Sequence, residues 1–161
     1  MSAGVVVLGL GNAYRRDDGV GVAAAAAFER LALPGVEVRA AISDPMDLIE
    51  AWSGRDLAVV IDAVVTTPAV PGRVHRRAPA DLDTGDGLSS HGPDVARAHA
   101  LGRVLGRVPG ALVVFTVEVA DVGHGTGLSP RVAAAVPDVV GRVVDEVSRP
   151  TANRSRRPAS R

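Results

Sequence analysis

Two adjacent carboxylates, Asp17 and Asp18, stand between Gly9-Leu10-Gly11 and Gly19-Val20-Gly21. A third, Asp62, closes the apolar run Leu57 to Ile61, and one imidazole, His91, sits in Ser89-Ser90-His91-Gly92 just ahead of a helical pattern. Singly, each has an ordinary reading: a helix cap worth about 0.5–2 kcal/mol, a turn-starting Asp, a loop histidine. One Asp suffices for the cap, which leaves the other of the pair to point elsewhere. Taken together, Asp18, Asp62 and His91 follow three different elements and meet at the carboxyl edge of a parallel sheet, where ligands of open α/β folds bind. Two carboxylates and one imidazole suit a borderline divalent metal such as nickel, zinc or iron, with positions left open for substrate.

The elements that must position these residues alternate along the chain. Val5 to Leu8 is a short apolar run, as expected for a strand buried on both faces. The Ala-rich stretch Gly19 to Leu31 reads as a helix with Asp17 or Asp18 as its cap. Val36 to Ala41 predicts a strand, Asp44 to Trp52 a short helix ended by Gly54, and Leu57 to Ile61 a strand that stops at Asp62. An edge strand is expected near Arg73 to Arg76, among Pro68, Pro71 and Pro79. Asp81 to Gly92 reads as a long polar loop, followed by a helix through Val95, Ala98, Leu101 and Leu105 with Pro93 in its first turn. Leu112 to Val117 is a further strand. Ser129-Pro130 opens the last helix, where Pro137 predicts a kink or a split into two pieces. Strands alternating with helices imply right-handed crossovers and a three-layer α/β sandwich, a mostly parallel twisted sheet flanked by helices.

Composition removes several other chemistries. The 161 residues contain no Cys, so disulfide frameworks, zinc ribbons and thiol nucleophiles are excluded. Aromatics make up 2% of the chain, too few for a base-stacking nucleic-acid module. No stretch approaches the roughly 18 apolar residues of a membrane span, and Met1 to Gly4 lead directly into Val5, so a cytoplasmic protein with no membrane partner is expected. Formal charge is zero, but unevenly spread: residues 149–161 hold five of the 18 Arg and no acid, which leaves residues 1–148 at −5. Residues 1–148 are read as one α/β domain and 149–161 as a basic, disordered tail.

The glycines of the first loop fit a dinucleotide fingerprint only in part, because its third Gly would fall on Tyr14. Asp17 and Asp18 would also repel a pyrophosphate at that helix end. There is no His-Glu-x-x-His and no Gly-x-Ser-x-Gly. Asp81, Asp83 and Asp86 miss the calcium-loop pattern, which needs a Gly where Asp86 stands and an acid where Gly92 stands, and read as a solvated loop face. His124 is a reserve ligand in a surface loop, and His75 and His99 read as ordinary surface residues.

Val6-Val7-Leu8-Gly9-Leu10-Gly11-Asn12, Asp17-Asp18-Gly19-Val20-Gly21, Val59-Val60-Ile61-Asp62-Ala63-Val64, Ser89-Ser90-His91 and Gly127-Leu128-Ser129-Pro130 together resemble the hydrogenase maturation proteases, the endopeptidases that trim the large subunit of nickel-iron hydrogenases. The resemblance runs from Val5 to about Val147 and implies a phosphorylase/hydrolase-like fold. It implies that Asp18, Asp62 and His91 surround nickel, that the nickel is supplied by the substrate precursor, and that a C-terminal peptide is removed in a single cut. The implied partner is the hydrogenase large-subunit precursor, with no nucleic acid, and the protein is expected to be a monomer. Gly9, Gly11 and Gly19 would allow close backbone approach, Asn12 would brace the loop, and Asp17 would shape it. Where many members carry a Gly-Gly-Thr-like segment, this chain has Ile42-Ser43-Asp44-Pro45-Met46, which leaves the type of hydrogenase open. Peptidyl-tRNA hydrolases also open with Gly-Leu-Gly-Asn, but rely on a catalytic His where this chain has Arg16-Asp17-Asp18. Two further readings share the site: a non-catalytic nickel-binding checkpoint module, and a general metal-dependent hydrolase.

Overall fold

Runs of Val, Leu and Ile set the centre of the molecule. The computed structural model describes residues 4–84, 88–89 and 95–149. β1 (Val5–Leu10), β3 (Leu57–Val65) and β6 (Leu112–Val119) are buried along nearly their whole length, as strands covered on both faces must be. β2 (Val36–Ile42) pairs parallel with β1, and β4 (Val74–Arg77) closes the far edge antiparallel to β6. The order is β2-β1-β3-β6-β4, and the short β5 (Leu88–Ser89) pairs antiparallel with the end of β3.

Alternation along the strands divides the core between two helix layers. Val7, Val59, Ile61, Phe115 and Val117 pack with α1 (Val20–Glu29) and α4 (Pro130–Val147) through Val20, Phe28, Val139 and Val143. Val6, Leu8, Val60 and Val114 pack with α2 (Pro45–Trp52) and α3 (Val95–Leu105) through Leu48, Trp52 and Ala98. Each fully buried Val, Leu or Phe contributes about 1.5–3 kcal/mol, so both layers are held firmly. The architecture is the expected three-layer α/β sandwich. Among the described residues no helix is long and apolar enough to cross a membrane.

Gly21 sets how closely α1 approaches the sheet. A Cβ there would lie 2.5 Å from the carbonyl oxygens of both Ile61 and Leu10, so only glycine lets the helix start against β1 and β3. The turn that precedes α1 is thereby carried over the carboxyl end of the sheet.

Several boundaries differ from the sequence reading. α4 is one continuous helix of 18 residues, not two pieces. Pro137 and Ala133 lie on its exposed side, so the carbonyl that loses its donor can turn to water, while Val132, Val139 and Val143 keep the buried stripe packed. β3 does not stop at Asp62: β6 offers a paired residue at every step from Asp62–Thr116 to Val65–Val119, and the strand continues to Val65. The loop expected over 81–92 holds part of a 3-10 turn, Pro79–Thr84, and β5. Residues 150–161 of the basic tail lie outside the described residues.

Candidate active site

β1 and β3 part company at the carboxyl end of the sheet. Their ladder runs as far as Gly9–Ile61, and β1 then turns away at Gly11, whose φ of +109° requires a glycine. The next partner on that side of β3 is β5, opposite Val64 and Val65. Asp62 and Ala63 therefore lie between the two ladders, and the 3-10 turn Arg16–Gly19 packs over β3 at this split. A crevice where neighbouring strands diverge is where ligands of open α/β sheets bind.

Asp17 and Asp18 lie inside that turn, and both are fully buried. Neither caps α1, contrary to expectation: the N-cap is Gly19, with no side-chain bond. The 3-10 turn has already engaged the early donors, with Asp18 N–H on the Arg15 carbonyl and Val20 N–H on that of Asp17. The two carboxylates are thus released for other duties. Asp17 accepts from Ser129 N–H (2.7 Å), Ser129 Oγ–H (2.9 Å) and Asp121 N–H (3.3 Å), tying the first loop to the start of α4. Asp18 Oδ2 accepts from Asn12 N–H at 2.7 Å. Asn12 Oδ1 in turn accepts from Tyr14 N–H (2.9 Å), and its carbonyl accepts from Arg15 N–H (3.0 Å). A Cβ on Gly11 would run into the Asp18 carbonyl, and one on Gly19 would lie 2.9 Å from Ala13 Cα. The loop is folded tightly around the Asp18 carboxylate.

Asp62 is 3% exposed. By alternation it shares the α2–α3 face with Ala58 and Val60. His91 lies outside the described residues. The chain that leads to it approaches Asp62: from Leu88 to Ser89 the paired position on β3 moves from Val65 to Val64. Among the described residues no group of three His, Asp or Glu side chains could hold a metal ion. Asp18 and Asp62 offer hard oxygen donors alone, and a borderline metal such as nickel calls for a nitrogen beside them, the part expected of His91.

A second polar cluster went unread in the sequence. Glu118, 3% exposed on β6, accepts from Thr66 Oγ–H (2.7 Å) and Val70 N–H (3.1 Å) and lies 2.7 Å from His75 Nε2, with Arg73 Nε at 3.6 Å. Burial alone would raise the Glu118 carboxyl, but the bonds from His75, Thr66 and Val70, together with the His75 charge, outweigh it and hold the group below the usual carboxylate range. His75 is accordingly not an ordinary surface residue. Its partner lies 43 residues away and only the β4–β6 pairing brings them together, so no local signal marks the pair. His99 packs edge-on against Trp52, with ring centroids 6.1 Å apart, and His124 is exposed in the loop before α4.

The chain matches the sequence profile of HycI, hydrogenase maturation protease, over residues 23–146. That span takes in Asp62 and His91 and begins after Asp18. No curated protein sequence matches. Among solved structures, the hydrogenase maturating endopeptidase HybD from E. coli is similar at 24% identity and a TM-score of 0.76, over 91% of this chain and 92% of that one. A solution structure of an endopeptidase from Escherichia coli gives 25% identity and a TM-score of 0.77, over 90% and 91%. The [NiFe] hydrogenase maturation protease HybD from Thermococcus kodakarensis gives 24% and 0.71, over 92% and 100%. With the profile covering more than half of its length and the same fold throughout, this chain belongs to the hydrogenase maturation protease family.

Proposed function

We propose that this endopeptidase removes a C-terminal peptide from the nickel-loaded precursor of a nickel-iron hydrogenase large subunit, in the cytoplasm and as a monomer, with Asp18, Asp62 and His91 engaging the nickel that the substrate carries. The observation that carries this reading is the split between β1 and β3, where two buried carboxylates from separate elements stand at the carboxyl end of the sheet. His91 is two residues beyond Ser89, within about 7 Å of extended chain, and Ser89 pairs two residues beyond Asp62. Two anionic oxygens together with one imidazole nitrogen suit a divalent cation of borderline softness. Asp17, Asn12, Gly9, Gly11 and Gly19 shape the loop that presents Asp18. Family membership supports the peptidase over a non-catalytic checkpoint module or a general metal-dependent hydrolase.

Mass spectrometry of a purified large-subunit precursor, incubated with this protein, tests the reading. Release of one C-terminal peptide from the nickel-loaded precursor, and none from the nickel-free one, is the expected result. An intact nickel-loaded precursor would refute the maturation activity, and equal cleavage without nickel would refute the metal's part in it.

A further inference from the structure

Hydrolysis of a peptide bond requires a group that takes a proton from the attacking water and returns it to the leaving amine. We propose that His75, oriented by Glu118 and assisted by Thr116, is that group; this rests on the endopeptidase reading above.

Asp62, Thr116 and His75 occupy one row across three neighbouring strands, since Asp62 pairs with Thr116 and Thr116 with His75. Paired residues project to the same face, so the row lies on the α2–α3 side, shared with Asp62. The other face bears this out, because the next residue, Arg76, reaches Glu146 of α4. With strands about 4.8 Å apart, the His75 backbone stands roughly 10 Å from that of Asp62, a span suited to a peptide held at one end and cut a short way along it.

The imidazole is set as a base is set in known hydrolytic sites, with one nitrogen fixed and the other available. Glu118 is held as a carboxylate, so Nε2 carries the proton it donates at 2.7 Å, and in the neutral ring Nδ1 keeps its lone pair. The His75 side chain remains 32% exposed, against 4% for Glu118, so the base is reachable while its orienting partner is sheltered. Arg73, 3.6 Å from Glu118 Oε2, is the other charged side chain at this carboxylate. Between Asp62 and His75, the Thr116 hydroxyl oxygen is buried and has no hydrogen-bond partner among the described residues. A buried hydroxyl left unmatched costs about 1–3 kcal/mol, which is explained if it binds the water or the substrate carbonyl during turnover.

The step balances. As water oxygen adds to the scissile carbonyl carbon, Nδ1 takes one water proton; as the C–N bond breaks, that proton passes to the leaving nitrogen. The oxygen and its pair end in the new carboxyl group, and His75 returns to neutrality.

His75→Gln is the decisive variant, because the Gln Nε2 amide can still donate to Glu118 while no proton acceptor remains at the Nδ1 position. Assayed on nickel-loaded precursor, it is expected to keep the wild-type melting temperature and KM and to lose about 10²–10⁴-fold in kcat. His75→Ala should lose as much activity. Thr116→Val, which removes the unmatched hydroxyl, should melt no lower than wild type and turn over about tenfold more slowly, one hydrogen bond's worth; it decides the matter if the His75 variants do not fold. Wild-type turnover in His75→Gln, or in Thr116→Val, would overturn the assignment while leaving the maturation activity standing. A wild-type protein that cleaves no precursor would instead sink the proposed function, and this inference with it.

Discussion

Two sets of buried carboxylates in this molecule are held in opposite ways. At the β4–β6 edge the partners include cations: Glu146, 1% exposed on α4, bonds Arg76 Nε at 3.0 Å and Arg149 Nη1 at 3.1 Å, and Glu118 has Arg73 at 3.6 Å beside the His75 ring. At the mouth between β1 and β3, the donors placed on Asp17 and on Asp18 Oδ2 are backbone N–H groups and one hydroxyl, all neutral. Cations cancel a buried charge where it stands. Neutral amides stabilise a carboxylate without cancelling it, and leave its field directed at whatever enters the crevice. The Glu146 pairs therefore fasten the sheet edge to the last helix, while Asp17 and Asp18 Oδ2 are stabilised at the mouth by neutral donors.

Substitutions can break that contrast or sharpen it. The largest stability effect is expected from Glu146→Ala, which leaves Arg76, 11% exposed, without this carboxylate. Removing one partner of a buried pair costs about 3–5 kcal/mol, and denaturant unfolding should show that loss. Precursor cleavage below the new melting point should persist; lost cleavage in a chain that is still folded would show that the Glu146 pair is more than a fastening.

Asp17→Ala comes next, since it removes three accepted hydrogen bonds between the first loop and the start of α4. Hydrogen bonds to charged groups contribute about 1.5–3 kcal/mol, so a loss of that order is expected in the same unfolding assay. Because the loop also presents Asp18, cleavage should fall too. Unchanged activity would detach Asp17 from the mouth.

The smallest effect is a pH response. Glu118 is held below the ordinary carboxyl value of 4.5, so its contribution is full above that value and is lost as pH falls through the lower folded value. Thermal melts in a series of acidic buffers should show the wild type losing stability there. Glu118→Gln, with no carboxyl to protonate, should show a shallower decline; identical declines would mean that other groups control it.

Most of the fold was legible because it depends on local pattern. Apolar runs of strand length, Ala-rich or 3.6-periodic stretches and Gly or Pro punctuation placed the elements and their three-layer arrangement. Asp18 and Asp62 could be picked out as candidates because one follows and the other interrupts an apolar run of strand length. What escaped reading depends on partners distant in the chain. The separate roles of Asp17 and Asp18 follow from Ser129, 112 positions from Asp17. The continuation of β3 through Asp62 follows from its ladder with β6, and the engagement of His75 from a Glu across the sheet. Pro137 misled for a related reason: a proline's cost depends on whether the freed carbonyl faces solvent, and that is settled by which side of α4 is buried.

The most direct test of the central claim compares wild type with Asp62→Asn on the nickel-loaded precursor, with binding and peptide release followed in parallel. Asn keeps the shape of the side chain and removes its charge, so the fold should persist and the melting temperature should stay near that of wild type. The account predicts that Asp62→Asn binds nickel-loaded precursor no better than nickel-free precursor and releases no peptide. Wild-type cleavage by Asp62→Asn, with its preference for the nickel-loaded form intact, would contradict it.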